Sequence, residues 1–419
     1  MPRKMKESGV EWLGQIPEGW GVRRNKYCYA CGKEIVGSKS SDTTLLSLTT
    51  RGVKEKPAGA VGGKQPETFD TYQVVRPNDI VLCLFDLDCS AVFSGISHYD
   101  GMISPAYKVV SCKRFVCSQY AEYWFRFVSE GRKFKAYAKN LRYTLSYEEF
   151  ETLPMLCPPL PEQERIAAFL DERCAKIDGM IAEAKASIED YKKWKQSIIF
   201  EAVTGKHEKN LKPSGVDWIG DVPEGWKVCR IVNLYSEVSE RGSDELPILS
   251  VSINTGVSDK ELSEEEQERV FLRSEDRTKY KRVQPGDLTY NMMRAWQGAF
   301  GAVRVDGMVS PAYVVARPKV DMDSRYVEYL LRTPNATEEM KRFSHGITDF
   351  RLRLYWPEFK DIKIPCPNVK EQKQIADYID EKCAAIDKLV GEKEALIADL
   401  EAYKKSLIFE TVTGKREVA

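Results

Sequence analysis

The sequence predicts an α+β fold: two globular, mostly-β domains alternate with two long helices that pair as an antiparallel coiled coil, giving a pseudo-two-fold symmetric chain. Three features predict it. One unit is written twice in the 419 residues, each copy opens on short strand-like runs bounded by turn signals, and each copy closes on a long heptad-patterned stretch.

The repeat comes first because it organises everything else. Residues 6–20, KESGVEWLGQIPEGW, return at 212–226 as KPSGVDWIGDVPEGW, an offset of 206. GMISPAY at 101–107 and GMVSPAY at 307–313 keep that offset, as do Tyr120, Tyr123 and Arg126 with Tyr326, Tyr329 and Arg332. Further on the offset becomes 209: CPPLPEQERIAAFLDERCAKID from Cys157 matches CPNVKEQKQIADYIDEKCAAID from Cys366, and FEAVTGK from Phe200 matches FETVTGK from Phe409. Ordered matches of this length exclude coincidence, and the three-residue drift belongs to loops between them. The copies diverge most between residues 30 and 98 and between 236 and 304, so one scaffold carries two different variable regions. The expected division is 1–157 (first globular domain), 158–206 (central helical spacer), 207–366 (second globular domain) and 367–419 (C-terminal helical spacer).

Each globular part begins with a Trp-rich segment ending in the turn-forming Pro-Glu-Gly-Trp, followed by alternating runs such as 20–29. Trp12, Trp20, Trp218 and Trp226 read as core plugs. Strands are expected at 44–48, 79–85 and 106–110, and in the second copy at 247–253, 287–292 and 312–316, with Arg-Pro-Asn-Asp and Gln-Pro-Gly-Asp as the turns between them.

Pro158, Pro159 and Pro161 close the first globular part and Pro367 the second; no proline follows in either stretch. From there Leu170, Cys174, Ile177, Ile181, Ala184, Ile188, Tyr191, Lys195, Ile198 and Ala202 alternate spacings of four and three. The counterpart seam is Ile379, Cys383, Ile386, Val390, Lys393, Ile397, Leu400, Lys404, Leu407 and Thr411, with Leu389, Leu396 and Tyr403 as a neighbouring apolar stripe. A helix of about 40 residues is roughly 60 Å long and must bury its stripe. Its own repeat is the available mate, and the connectivity makes the pair antiparallel.

Composition narrows the function. Hydrophobic residues are 42% and no apolar run reaches the length of about 20 residues that spans a bilayer; no apolar leader follows Arg3, Lys4 and Lys6, so the expected location is cytoplasmic. Eleven irregularly spaced cysteines read as small buried hydrophobes, and the lone pair Cys28 and Cys31 meets Leu234 and Glu237 in the second copy, which argues against a metal site. The 63 basic and 63 acidic residues balance, so contact with nucleic acid must come from local patches or be shared with partners. Catalytic groups do not assemble: His98, His207 and His345 are far apart and do not recur, and Gly32–Ser40, GKEIVGSKS, has serine where a phosphate loop needs lysine. No catalytic residue is expected in this chain.

If the globular parts read DNA, polar loops at variable positions are the natural contacts. The candidates are Lys139, Asn140, Arg142 and Tyr143 in the first copy, and Arg294, Gln297, Asp349, Arg351 and Arg353 in the second. The basic run Arg132, Lys133, Lys135 and Lys139 suits phosphates.

The duplicated order of a PEGW start, a variable domain with GxxSPAY, and an EQ-led helix ending in TGK closely resembles the specificity subunit of type I restriction-modification systems, over essentially the whole chain. The resemblance implies that two target recognition domains each read one half of a bipartite, asymmetric sequence in double-stranded DNA. It implies that the helices set the spacer and dock two methyltransferase subunits, which restriction-translocase subunits then join. S-adenosylmethionine, ATP and Mg are used by those partners, and none is expected in this chain. The alternative is a duplicated coiled-coil scaffold that binds protein partners.

Overall fold

The computed structural model describes residues 3–50, 52–56, 68–87, 92–130, 132–138, 143–243, 245–261, 279–346 and 351–418. The chain forms two compact units, residues 1–184 with 395–419, and residues 185–394.

In the first unit the hairpin Met5–Glu7/Gln15–Pro17 leads into Gly21–Arg24, which pairs antiparallel with Pro154–Cys157. Entrance and exit of the globular part therefore lie side by side at the root of the long helix. The central sheet is antiparallel, in the order Tyr29–Cys31, Lys108–Cys112, Ile80–Leu82, Ser94–Ile96. Helix α1 (Ser118–Glu130) packs on the Ser94–Ile96 edge and buries Tyr120, Tyr123, Trp124, Phe125, Phe127 and Val128.

Leu46–Thr49, Ile80–Leu82, Val251–Ser252 and Leu288–Asn291 are shorter than the alternation predicts, whereas Lys108–Cys112 and Tyr313–Pro318 reach or exceed the expected length. Asn78 turns the chain at φ 72° and Asp79 accepts the Arg76 amide, so Gln73–Val75 and Ile80–Leu82 are separate strands in different sheets. The run 20–29 is likewise broken by a helical turn at Asn25–Cys28. Asn25 is buried there and donates to the distant Phe150 carbonyl at 3.0 Å, a tertiary bond that fixes the turn.

The second unit repeats the plan. Leu211–Pro213/Asp221–Pro223 is the hairpin, Lys227–Arg230 pairs with Lys363–Cys366, and the central sheet runs Tyr235–Val238, Tyr313–Pro318, Leu288–Asn291, Phe300–Ala302. Helices α3 (Ser324–Leu331) and α4 (Pro334–Phe343) follow, α3 against the Phe300–Ala302 edge. These helices make the globular parts less purely β than their sequence pattern predicts.

Two long helices complete the chain, α2 (Leu160–Thr204) and α5 (Val369–Val412). Each is stitched to its globular part by the glutamine of the EQ pair. Buried Gln163 accepts the Cys117 amide and donates to the Pro158 and Phe115 carbonyls; buried Gln372 accepts the Asp323 amide and donates to Pro367. A second stitch is Tyr123 on Asp171 at 2.7 Å, repeated by Tyr329 on Asp380. Hydrogen bonding to the carboxylate adds to burial in pushing both phenols up.

A third stitch closes each unit. The Tyr120 hydroxyl reaches the Leu156 and Val412 carbonyls at 3.0 and 3.3 Å, and the Tyr326 hydroxyl reaches Val203 and Pro365 at 2.9 and 3.2 Å. Both rings are fully buried, which raises both phenols far above their ordinary range and keeps them as donors. Tyr326→Phe would strand two buried carbonyls and is expected to destabilise the protein by about 2 kcal/mol in urea unfolding. An unchanged midpoint would show that the ring alone holds the helix end.

The helix seam is the least exposed line on both helices. Leu170, Ile177, Ile181, Ile188, Ile379, Ile386 and Leu407 are buried, while Tyr191, Ile198, Val390, Ile397 and Leu400 are half-buried. In the first unit Leu170, Ile177 and Ile181 of α2 share a core with Leu407 and Ile408 of α5, with Ile397 and Leu400 packed against it. In the second unit Ile379 and Cys383 of α5 share one with Ala202 and Val203 of α2. Two of the charged seam members form ion pairs: Lys404 with Asp178 at 2.7 Å in the first unit, Lys195 with Asp387 at 2.6 Å in the second.

Candidate nucleic-acid interface

In the second unit the sequence candidates converge on one group of loops. The central strand Leu288–Asn291 ends in a tight turn, where Arg294 precedes the single 3-10 turn Ala295–Gln297. The Arg294 carbonyl accepts the amides of Gln297 and Ala299, so the backbone on both sides of the turn is fixed. Arg294 is half-buried and Gln297 exposed. Arg353 arrives from the other side: it exchanges both backbone bonds with His345 at 2.9 Å, and the next residue, Leu354, donates to the Met292 carbonyl. Arg294, Gln297 and Arg353 therefore sit on segments bonded to each other, with exposed Arg351 two residues away. Asp349 lies outside the described residues.

Helix α4 supplies members that the sequence pattern does not reveal. It packs against the Ala295–Gln297 turn, and Lys341 near its C-terminal end lies over the Trp296 ring at 5.6 Å. Arg342, His345, Met293 and Tyr355 are exposed alongside. Cations interleaved with aromatic and apolar side chains on one set of loops match what phosphates and base edges require. A helix-start signal was legible: Thr333 caps the Ala336 amide with Pro334 at the first helical position, and Lys341 and Arg342 occupy the last turn.

The first unit places Tyr143 at φ 49°, half-buried, with the Lys135 ammonium 4.2 Å from its ring centroid. Lys133 lies over Trp12 at 6.0 Å. Two cations of the basic run thus rest on aromatic faces, next to the short turn Lys133–Ala136 whose Phe134 is buried. Lys139, Asn140 and Arg142 lie outside the described residues.

Buried charge holds these loops from behind. Glu328 accepts the Ala302 amide at 3.0 Å and pairs with Arg332 at 2.9 Å; burial raises its carboxyl against the lowering effect of both partners. Arg332 in turn donates to the Ile253 carbonyl. Glu122 with Arg126 and Ser94 is the same device in the first unit. Asp287, fully buried at the start of the strand that ends in the Arg294 turn, is bridged by Arg317 through two bonds of 2.9 and 3.0 Å. Arg317→Leu leaves that carboxylate unpaired and is expected to destabilise the protein by about 3 kcal/mol, read from thermal or urea unfolding. Equal stability would mean that water replaces the guanidinium.

Among the described residues no group of three or more His, Cys, Asp or Glu side chains is placed to hold a metal, and no helix is long and apolar enough to cross a membrane. Cys28 and Cys157 face each other at 3.8 Å between sulfurs, with Cys28 fully buried.

No family model matches the chain. It is 25% identical to the type I restriction enzyme MjaVIII specificity subunit of Methanocaldococcus jannaschii, over 96% of this chain and 94% of that protein. It is 22% identical to the type I restriction enzyme EcoBI specificity subunit of Escherichia coli, over 62% of this chain and 57% of that one. Among solved structures, a chain from a study of complex assembly in a type I R-M system superposes with a TM-score of 0.67 at 14% identity, covering 96% of this chain and 99% of that chain. The HsdS subunit from Thermoanaerobacter tengcongensis does so at 0.53 and 14%, covering 96% and 98%. By sequence along nearly its whole length, and by fold, the chain is a homologue of the type I restriction enzyme specificity subunits.

Proposed function

We propose that this chain is the DNA sequence-specificity subunit of a type I restriction-modification complex, with each globular domain (1–157 and 207–366) reading one half of a bipartite, asymmetric target. The observation that carries the proposal is the convergence of Arg294, Gln297, Arg351 and Arg353 on mutually bonded loops of a domain that occurs twice with divergent loops. Two unlike readers on one frame read two unlike half-sites.

The helical segments 158–206 and 367–419 act as the spacer, paired as an antiparallel coiled coil about a pseudo-two-fold axis. The two ion pairs support this, since Lys195–Asp387 and Asp178–Lys404 are one pair written twice at the 209-residue offset. Their order also supports it: the contact moves up α2 from 178 to 195 as it moves down α5 from 404 to 387. Exposed Leu389, Leu396 and Tyr403, seven residues apart on α5, with Met180 and Trp194 on α2, are apolar side chains available to partners. The partners are two methyltransferase subunits and the restriction-translocase subunits. Adenine methylation with S-adenosylmethionine, and cleavage with ATP and Mg, belong to them, and this chain is non-catalytic.

The test is co-expression with the methyltransferase subunit, followed by fluorescence anisotropy on double-stranded DNA across a salt series. The complex is expected to bind duplex DNA with a salt-dependent affinity. Lys133→Ala with Lys135→Ala is expected to flatten the slope of log K against log salt by about 0.9 for each phosphate that the two lysines neutralise. A chain that purifies with protein partners and leaves their DNA affinity unchanged would favour the scaffold reading instead.

A further inference from the structure

The repeat makes each unit a template for the other, and at one place they differ in what fills them. In the first unit the Arg3 guanidinium lies over the Trp20 ring, 5.1 Å from its centroid, and pairs with Glu162. Glu162 also accepts the Trp20 indole N–H at 2.9 Å. Beside it, Arg416 pairs with Glu410 at 2.8 Å. Two guanidinium groups thus sit against two carboxylates at the root of the helix pair.

The second unit keeps the acceptors and lacks the guanidinium groups. Trp226, Glu371 and Glu201 stand at the positions of Trp20, Glu162 and Glu410, whereas Lys209 and His207 replace Arg3 and Arg416. Among the described residues Lys209 makes no ion pair, and His207 faces Glu208 at 3.6 Å. Glu371 instead caps its own helix through one oxygen, with Asn368 at 2.8 Å. Trp226 is 6% exposed, and its indole N–H, which has no protein acceptor among the described residues, is open to solvent and not a buried orphan. Where the first unit has its arginines there is an open cavity of about 930 Å³, lined by Trp226, Tyr378 and the carboxylates of Glu201, Glu208, Glu224 and Glu371, with His207 and Lys209 themselves in its wall.

We propose that this cavity binds the arginine side chain of another protein, in the way that the first unit binds its own Arg3. A planar guanidinium stacks on the Trp226 face and pairs with Glu371, which turns its oxygen toward the indole N–H as Glu162 does. Lysine, a compact and strongly hydrated charge, does not make both contacts at once, which accounts for Lys209 leaving the site open. The four glutamates of the lining outweigh the single Lys209 and repel a free carboxylate, so the fitting ligand is an arginine within a peptide and not the free amino acid.

The experiment follows the Trp226 indole N–H resonance in the full-length chain labelled with nitrogen-15, assigned with Trp226→Phe. Titration with N-acetyl-argininamide is expected to shift it saturably, with a dissociation constant on the order of 1 mM. N-acetyl-lysinamide and free L-arginine are expected to bind at least about tenfold more weakly. Glu371→Gln is expected to abolish the response, and Lys209→Arg to close the site from within, moving the resonance in the absence of ligand and removing the response. Equal shifts with the lysine and arginine probes, or no shift with any of them while Lys209→Arg leaves the resonance in place, would overturn the proposal.

Discussion

Inserting seven residues into each long helix, at equivalent levels near residues 184 and 394, is expected to lengthen the gap in the DNA target without changing either half-site. Seven residues keep the heptad seam in register, where four or three would rotate it away from its mate. At 1.5 Å per residue the insertion adds about 10 Å, close to three base pairs of about 3.4 Å each. Sites with the native gap would then engage one reader only, with affinity lower by a factor on the order of a thousand. Sequencing of modified bases in cells carrying the insertion together with the methyltransferase reads both quantities. Altered half-sites with an unchanged gap would remove the helices from the role of spacer.

Gly205→Ala is expected to be among the most damaging single-methyl additions to this protein. Gly205 ends α2 at φ 68°, where a side chain costs about 1 to 2 kcal/mol. A β-carbon there would also lie 2.4 and 2.6 Å from the Pro223 ring carbons and 3.0 Å from Trp226, all rigid neighbours. Together these predict a loss of about 3 kcal/mol and a fall in melting temperature of about 10 °C. Gly414→Ala should match it, because the same contacts recur with Pro17 and Trp20 at φ 72°. Gly391→Ala, within α5 and with open space around its position, is the control and should be neutral or stabilising by up to about 1 kcal/mol. Equal effects of all three would mean that the Pro-Glu-Gly-Trp turn does not clamp the helix end.

That clamp explains why TGK and PEGW recur together in the sequence, a link that spacing alone does not reveal. Repetition, helix positions and seam are legible because they are periodic or duplicated, and they need no knowledge of tertiary contacts. Helix α1 is not legible in the same way. It is buried on nearly every side from Tyr120 to Val128 and its aromatic residues favour a strand reading, although Gln119, Glu122, Arg126 and Glu130 recur at helical spacing along one side. The turn at Arg76–Asp79 lies where Arg-Pro-Asn-Asp predicts it, whereas the break in the run 20–29 depends on the bond from the Asn25 side chain to the distant Phe150 carbonyl, which alternation does not register.

The candidate DNA-contact loops show the same division. Arg294 and Gln297 are found from a strand followed by a polar turn, and Arg351 and Arg353 from a basic stretch before the helix. Lys341, Tyr355 and Trp296 join them only through packing of α4 on the Ala295–Gln297 turn, which brings together segments some forty residues apart. In the first unit, Lys133 and Lys135 read in sequence as part of a basic run suited to phosphates, and the run does not reveal that each is set on an aromatic ring from a distant segment or a facing loop.

The most direct measurement is genome-wide sequencing of modified bases in a methylation-free host that expresses the methyltransferase subunit with this chain, and separately with a chain whose residues 236–304 are taken from another specificity subunit. Two short, unlike sequence blocks separated by a fixed unread gap, with only one block replaced by the exchange, is the predicted result. A single continuous motif, or a motif unaffected by the exchange, would contradict the assignment of one half-site to each globular domain.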